Sequence, residues 1–231
     1  MLTMRLGILF SGGKDSTLAL HKVAKKEEIK CLITVQSENK YSYMFHTPNI
    51  EVTSLQAEAL NLPLLRETTE GKPEEELKDL EKGIKQAIRD FKIDGIVTGA
   101  IESAYQSKRI QYICDQLNIS CCNPLWKKNQ RTILEEMLSE GFKVIISGVF
   151  AYPLNTDWLG KEIEHELIER LVQLQKKYGV SPSGEGGEIE TTVLDAPLFR
   201  KRIEILDFAI KSEGDSGVFV IKKARLVPKK V

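Results

Sequence analysis

"GILFSGGKDSTLALHK", residues 7–22, sets an apolar run against two glycines, a lysine and a cluster of Ser, Asp, Ser and Thr. Its reading decides the fold. "MRLGILF" has the composition of a buried strand, and "STLALHKVAKKE" places Leu18, Leu20, Val23 and Ala24 in a pattern that suits a helix buried along one side. A glycine turn between strand and helix points backbone N–H groups and the partial positive charge of a helix N-terminus into one concavity, which suits phosphate. Gly12 and Gly13 let the backbone approach closely, Ser11, Ser16 and Thr17 add hydroxyl donors, and Lys14 adds a point charge. Asp15 would repel phosphate unless it holds Mg²⁺ or caps its own helix.

Strand and helix patterns keep alternating outward from this loop. "IKCLITVQS" reads as a second strand, followed by the polar and aromatic loop "NKYSYMFHTPN" and a helix, "NIEVTSLQAEALN", that Asn49 caps. "LPLLRET" is a third strand. The next helix spaces Leu77, Leu80, Ile84, Ile88 and Phe91 by three and four, with Glu and Lys on its solvated face. "DGIVTGA" is a fourth strand, and "ESAYQSKRIQYICDQLN" is a helix that begins at its end. Four strand–helix units predict a doubly wound parallel α/β sheet, because parallel strands need right-handed crossovers.

After "ISCCNPLW" a helix, "QRTILEEMLSEG", and a strand, "FKVIISGVF", continue the alternation. A long helix then runs from about Lys161 to Lys177, with Gly179 as its C-cap. "SPSGEGGE" is a turn, "IETTVLD" a short strand, and two β-type runs around "EGDSG" form an antiparallel hairpin. The chain thus divides into a nucleotide-type domain, residues 1–125, and a second, smaller mixed α/β domain, residues 126–231, with a cleft between them.

Composition removes several function classes. The chain carries 33 Lys+Arg and 33 Asp+Glu, so no global positive field draws in nucleic acid or an anionic membrane. Its apolar stretches fall short of the roughly 20 residues of a membrane span, and its start lacks a charged leader with an apolar core, so the expected location is the cytoplasm. Cys31, Cys114, Cys121 and Cys122 form no CxxC pair and have no His at metal-ligand spacing; reduced structural thiols are expected. His21 and His165 fall in helical patterns and read as structural or solvated, while His46 follows the second strand, near where adenine would lie. A homo-oligomer is compatible with this composition but nothing specifies one.

Two familiar phosphate loops fail. A Walker A loop requires Ser or Thr after its lysine and Gly at the position of Ile8, but Asp15 follows Lys14; a Rossmann loop requires GxGxxG. "SGGKDS", Ser11 to Ser16, instead resembles the "SGGxDS" PP-loop of the ATP pyrophosphatase superfamily, whose members include GMP synthetase, asparagine synthetase and tRNA thiolases. The resemblance implies an adenine nucleotide α-hydrolase-like fold and a loop that holds the β and γ phosphates as leaving pyrophosphate while the α-phosphate is attacked. It implies ATP with Mg²⁺, bound by Ser11, Gly12, Gly13, Lys14, Asp15, Ser16, His46 and Gly99, with no metal ligand set assigned.

Two further segments matter. "TGAIESAYQSKR" ends the fourth strand, and ligands bind beyond such strand ends, which places Gly99, Ser103, Tyr105, Gln106 and Arg109 near the reacting end of the nucleotide. "GEGGEIET", Gly184 to Thr191, sets Glu185, Glu188 and Glu190 around Gly186 and Gly187, with Glu188 and Glu190 on one face if a strand begins there. Such carboxylates either bind a cation and take up a proton or are solvated on a turn.

Together "FSGGKDS", "SYMFHTPN", "TGAIESAYQSKR", "NPLW" and "GEGGEIET" resemble the diphthine–ammonia ligase family from about Arg5 to Pro197, with Ile189 standing where that family often has an aromatic. The resemblance implies ATP-dependent amidation of diphthine on elongation factor 2 through an acyl-adenylate, with free ammonium as nitrogen donor and AMP and pyrophosphate as products. It implies catalytic roles for Lys14, Asp15, Glu188 and Glu190. The substrate would meet Ser103, Tyr105, Gln106, Arg109, Glu185, Gly186, Gly187, Glu188, Glu190 and Thr191. Two other readings stand beside it: a tRNA-modifying PP-loop enzyme, disfavoured by neutral charge and the missing CxxC, and a non-catalytic ATP-binding module.

Overall fold

In the computed structural model, which describes residues 3–38 and 48–229, strand β1 (Arg5–Leu9) runs parallel between β2 (Glu28–Ser37) and β4 (Gly95–Val97). With β3 (Leu64–Thr69) and β5 (Ser120–Cys122) they form a five-stranded parallel sheet of order β3-β2-β1-β4-β5. Helices α1 (Lys14–Val23), α2 (Thr53–Leu60), α3 (Pro73–Phe91) and α4 (Ala104–Gln116) make the connections. On one face Leu80 and Ile84 of α3 and Ile110 and Ile113 of α4 bury against Ile33 and Ile96. On the other, Leu18 and Leu20 of α1 belong to an apolar cluster that continues to Ile133 and Met137 of α5 (Gln130–Ser139) and Val144 and Ile146 of β6 (Lys143–Val149). The sheet is doubly wound, and its order reverses between β1 and β4, where a ligand crevice opens at the strands' C-terminal ends.

Strand β6 belongs to a second sheet, antiparallel and four-stranded, with β7 (Ile189–Asp195), β8 (Lys201–Glu213) and β9 (Ser216–Pro228) in the order β7-β6-β9-β8. The expectation that "FKVIISGVF" simply prolongs the alternation is corrected here: β6 pairs antiparallel with both neighbours. Helix α6 (His165–Tyr178) starts later than Lys161, because the segment before it is extended and Glu162 bridges to Ile145. Gly179 does cap it, at φ 75°, with its N–H on the Gln175 carbonyl at 2.9 Å. The terminal hairpin turns at Gly214, φ 61°, between paired Glu213 and Ser216.

Asn49 stands at the N-cap of a 3₁₀ turn (Ile50–Val52) that leads into α2, but its side chain does not make the expected cap. It sits at φ 62°, and its side chain reaches the second sheet: Nδ2 donates to the Phe219 carbonyl at 2.9 Å and Oδ1 accepts from the Ile221 N–H at 2.8 Å. A residue chosen by sequence as a local cap is a long-range tie. His165 is exposed, whereas His21 is buried and its ring stands 4.7 Å from Phe142. All four cysteines are free. No described helix is long and apolar enough to cross a membrane.

Candidate active site

The loop after β1 passes Gly12 at φ 78°, a conformation that favours glycine, and a Cβ there would meet Gln56 Oε1 at 2.3 Å. The Gly12 carbonyl accepts from Gln56 Nε2 at 2.9 Å and from the Val193 N–H at 3.1 Å. Gly12 therefore lies behind the loop and shapes it. Gly13 is the N-cap of α1 and has no side chain to cap that end; Thr191 takes the Lys14 N–H, and the rest of the helix start suits an anion. Ser11 and Ser16 stand with their hydroxyl oxygens 3.2 Å apart, and Thr17 turns inward, donating to the Gly13 carbonyl at 2.8 Å.

Strand β7 is fastened to this loop. Thr191 Oγ1 accepts from the Lys14 N–H at 3.1 Å, and Gln56 Nε2 also reaches the Val193 carbonyl at 2.8 Å. The Lys14 side chain is buried, with Nζ donating to Asp15 Oδ2 at 2.6 Å and to the Ser183 carbonyl. Gln130 Oε1 in turn accepts from the Ser183 N–H at 3.1 Å and the Ser181 hydroxyl at 2.7 Å, which holds the strand's approach.

Beyond β4, Gly99 lies so close that a Cβ would fall 2.7 Å from the Asp15 carbonyl carbon and the Ser16 nitrogen. Its small size keeps the two loops in register. Ser103 caps α4, accepting from the Gln106 N–H at 3.4 Å, and both residues line the cleft. Tyr105 and Arg109 do not line it; the guanidinium of Arg109 lies 3.4 Å from the Tyr105 ring centroid, and the pair faces outward. Of the residues expected near the reacting end, Gly99, Ser103 and Gln106 line the cleft, and Tyr105 and Arg109 are not among its described lining residues.

The three glutamates of Gly184–Thr191 take three different positions. Glu185 Oε1 accepts from the N–H groups of Ile101, Glu102 and Ser103 at 3.1, 2.7 and 2.9 Å, filling the concavity before α4. Glu188 precedes β7 and folds back on its own turn, accepting from the Ser181 N–H at 3.1 Å, with Oε2 buried and, among the described residues, without a hydrogen-bond partner. The strand begins only at Ile189, so the condition under which Glu188 and Glu190 would share its face is not met. Glu190 lines the cleft, and so do Gly186 and Gly187 at the tip of the turn. Protein crowds the Glu190 carboxyl, and the loss of water pushes it up to about 7; nearby Lys14 opposes that rise and Asp15 adds to it. Burial likewise raises Asp15, against the pull of Lys14. His46 lies outside the described residues.

The phosphate loop, the start of α4 and the Gly184–Thr191 segment open onto one cleft of about 930 Å³, within the range of small-molecule sites. Its floor toward β2 and α4 is apolar, with Ile33, Val35 and Ile110.

Comparison with known proteins matches residues 4–121 to the diphthamide synthase N-terminal domain and residues 129–227 to the diphthamide synthase C-terminal domain. The chain belongs to the diphthamide synthase family. A Bos taurus protein named diphthine–ammonia ligase is 38% identical over 220 residues, spanning 87% of this chain and 82% of that one. One of the same name from Rattus norvegicus is 37% identical over 87% of this chain and 83% of its own. In Schizosaccharomyces pombe the likeness is 34% over 93% of this chain but only 38% of the longer relative.

For this diphthamide synthase family member the residues present fit a metal–nucleotide. Among the described residues Asp15 Oδ1 is buried with no hydrogen-bond partner, at the start of α1. Among the described residues no group of three His, Cys, Asp or Glu is arranged to hold a metal by itself. That combination suits Mg²⁺, which is commonly held by one or two carboxylates and the substrate's own phosphates. Sequence reasoning missed Gln56, Gln130, Phe150 and the hairpin tip at Lys211–Glu213. Each acts from an element distant in sequence, so no local pattern marks it.

Proposed function

We propose that the chain is an AMP-forming diphthine–ammonia ligase. The observation that carries the reading is the joining of the SGGKDS loop to β7 through Lys14 and Thr191, which gives nucleotide phosphates and the acidic motif one cleft. In this reading a carboxylate oxygen of diphthine attacks the α-phosphorus of ATP and the bond to the β-phosphate breaks. Pyrophosphate remains against the start of α1, whose partial positive charge stabilises it. Ammonia then attacks the acyl carbon, AMP departs with the bridging oxygen, and the nitrogen sheds a proton as it becomes an amide.

The chain's own groups have separate tasks. Lys14 draws the loop and the Ser181–Ser183 segment together and, by its ion pair, opposes the rise that burial imposes on Asp15. Glu190, poised near neutrality, accepts the proton from the nitrogen. Ser103 and Gln106 meet the nucleotide at the switch point, over the apolar floor that accepts adenine. Asp15, together with the nucleotide's own phosphates, would hold Mg²⁺, which would supply charge neutralisation for the leaving pyrophosphate. Elongation factor 2 in its diphthine form is the protein substrate, ammonium the nitrogen source and the cytoplasm the compartment.

The test incubates the chain with ATP, Mg²⁺, ammonium and diphthine-bearing elongation factor 2. AMP, pyrophosphate and a factor lighter by about the mass of one proton, as OH becomes NH₂, are expected. ADP with orthophosphate would refute it.

A further inference from the structure

The cleft proposed for a polyanionic nucleotide itself carries more carboxylates than ammonium groups. Among the described residues its wall carries the carboxylates of Asp15, Glu185, Glu190 and Glu213 against the ammonium groups of Lys14 and Lys211. Lys14 is already paired with Asp15, and Glu185 is satisfied by three backbone N–H groups. Glu190 is left facing the cleft beside an aromatic ring. A Cβ on Gly148 would lie 2.7 and 2.8 Å from two ring carbons of Phe150 and 3.0 Å from Cβ of Glu190. Gly148 and Glu190 are cross-strand partners, so the missing side chain at position 148 is what lets the Phe150 ring fold back next to the Glu190 stem. Phe150 remains 39% exposed, unusual for a large apolar side chain at the end of a buried strand, and it lines the cleft.

A quaternary ammonium group has no N–H and cannot be read by hydrogen bonds. It can be read by the negative face of an aromatic ring with a carboxylate alongside. We infer that Phe150, set beside Glu190 by Gly148, is a specificity-determining residue that recognises a quaternary ammonium group on the substrate. The inference rests on the ligase reading only for the identity of that group, the trimethylammonium that diphthine carries.

The test titrates tetramethylammonium chloride into the full chain, with binding followed by saturation transfer to its methyl protons. Phe150→Leu keeps the bulk and removes the π-face, so binding should weaken by about 2- to 30-fold, the range of cation–π interactions. Phe150→Tyr should retain binding within about twofold of the parent on the same grounds, because the π-face remains. A melting curve confirms that each variant is folded. Gly148→Ala, which displaces the ring, should weaken binding as well. Absence of binding to the parent chain, equal binding by Phe150→Leu, or loss in Phe150→Tyr would overturn the inference. The two ideas fail separately. Tetramethylammonium bound through Phe150 by a chain that forms no amide refutes the ligase reading alone. Amide formation with an unchanged KM for the protein substrate in Phe150→Leu refutes the subsite alone.

Discussion

The backbone N–H of Lys14 donates to the hydroxyl oxygen of Thr191 across 3.1 Å, joining residues 177 positions apart. Thr191 is buried, so this acceptor has no water to replace it. Thr191→Val keeps the shape and leaves the N–H unpaired, a loss of about 1–3 kcal/mol. Urea unfolding should show that loss, ATP affinity should fall with it, and Thr191→Ser should restore both. Unchanged ATP affinity in Thr191→Val would show that the tie does not shape the loop.

Glu185 provides the second tie between the sheets, through three backbone N–H groups at 2.7–3.1 Å. Hydrogen bonds to an ionised group contribute about 1.5–3 kcal/mol each before coupling among them is considered. Glu185→Ala should therefore destabilise the chain by about 2–4 kcal/mol in urea, more than its partial exposure alone suggests. Ordinary stability in this variant would mean that the concavity before α4 is satisfied by solvent.

The Glu190 carboxyl, pushed up to about 7 by loss of water, is protonated below that pH and a competent base above it. Amide formation, compared at matched concentrations of unprotonated ammonia, should rise as pH passes through 7. Glu190→Gln should lose that limb and about 100-fold in rate, the lower end of general-base effects, with ATP binding nearly intact. The same shift favours the folded state at low pH and ceases to do so as pH climbs from the ordinary carboxyl value through 7. A Glu190→Gln rate profile identical to the parent's would remove this residue from proton transfer.

His21 gives a pH dependence of opposite sense. Its Nδ1 bonds the Thr17 carbonyl at 2.8 Å and so carries the proton, while Nε2 accepts from the Leu198 N–H at 3.0 Å. Burial lowers its pKa to about 4 from 6.5. The folded state therefore holds neutral His21, and its advantage is intact above 6.5 and lost as pH falls toward 4, amounting to about 3 kcal/mol. Denaturant midpoints measured across that window should drop, and His21→Gln should flatten the drop.

The doubly wound sheet was legible because β1 through β4 are continuous apolar runs bounded by helix periodicity. β5 was not, since three residues, Ser120–Cys122, carry no periodic signal. The hairpin and β7 were readable from glycine turns, but the pairing of β6 was not: antiparallel neighbours reach it from residues 189 and 217 onward, and only tertiary contact reveals them. At the site, the loop residues Ser11 to Ser16 and the segment Gly184–Thr191 stood out through glycine and charge. The division of labour among Glu185, Glu188 and Glu190 did not, because it depends on which backbone N–H groups lie opposite each one. Asn49 shows the same limit, being equally good as a cap or as a side-chain tie until its partners are known.

Attack at the α-phosphorus is the central claim, and oxygen transfer tests it most directly. With both carboxylate oxygens of the diphthine on elongation factor 2 replaced by heavy oxygen, one turnover should deliver one heavy oxygen to the phosphate of AMP, because the carboxylate supplies the bridging atom that leaves with it. AMP without the label, or heavy oxygen in orthophosphate alongside ADP, would contradict the account.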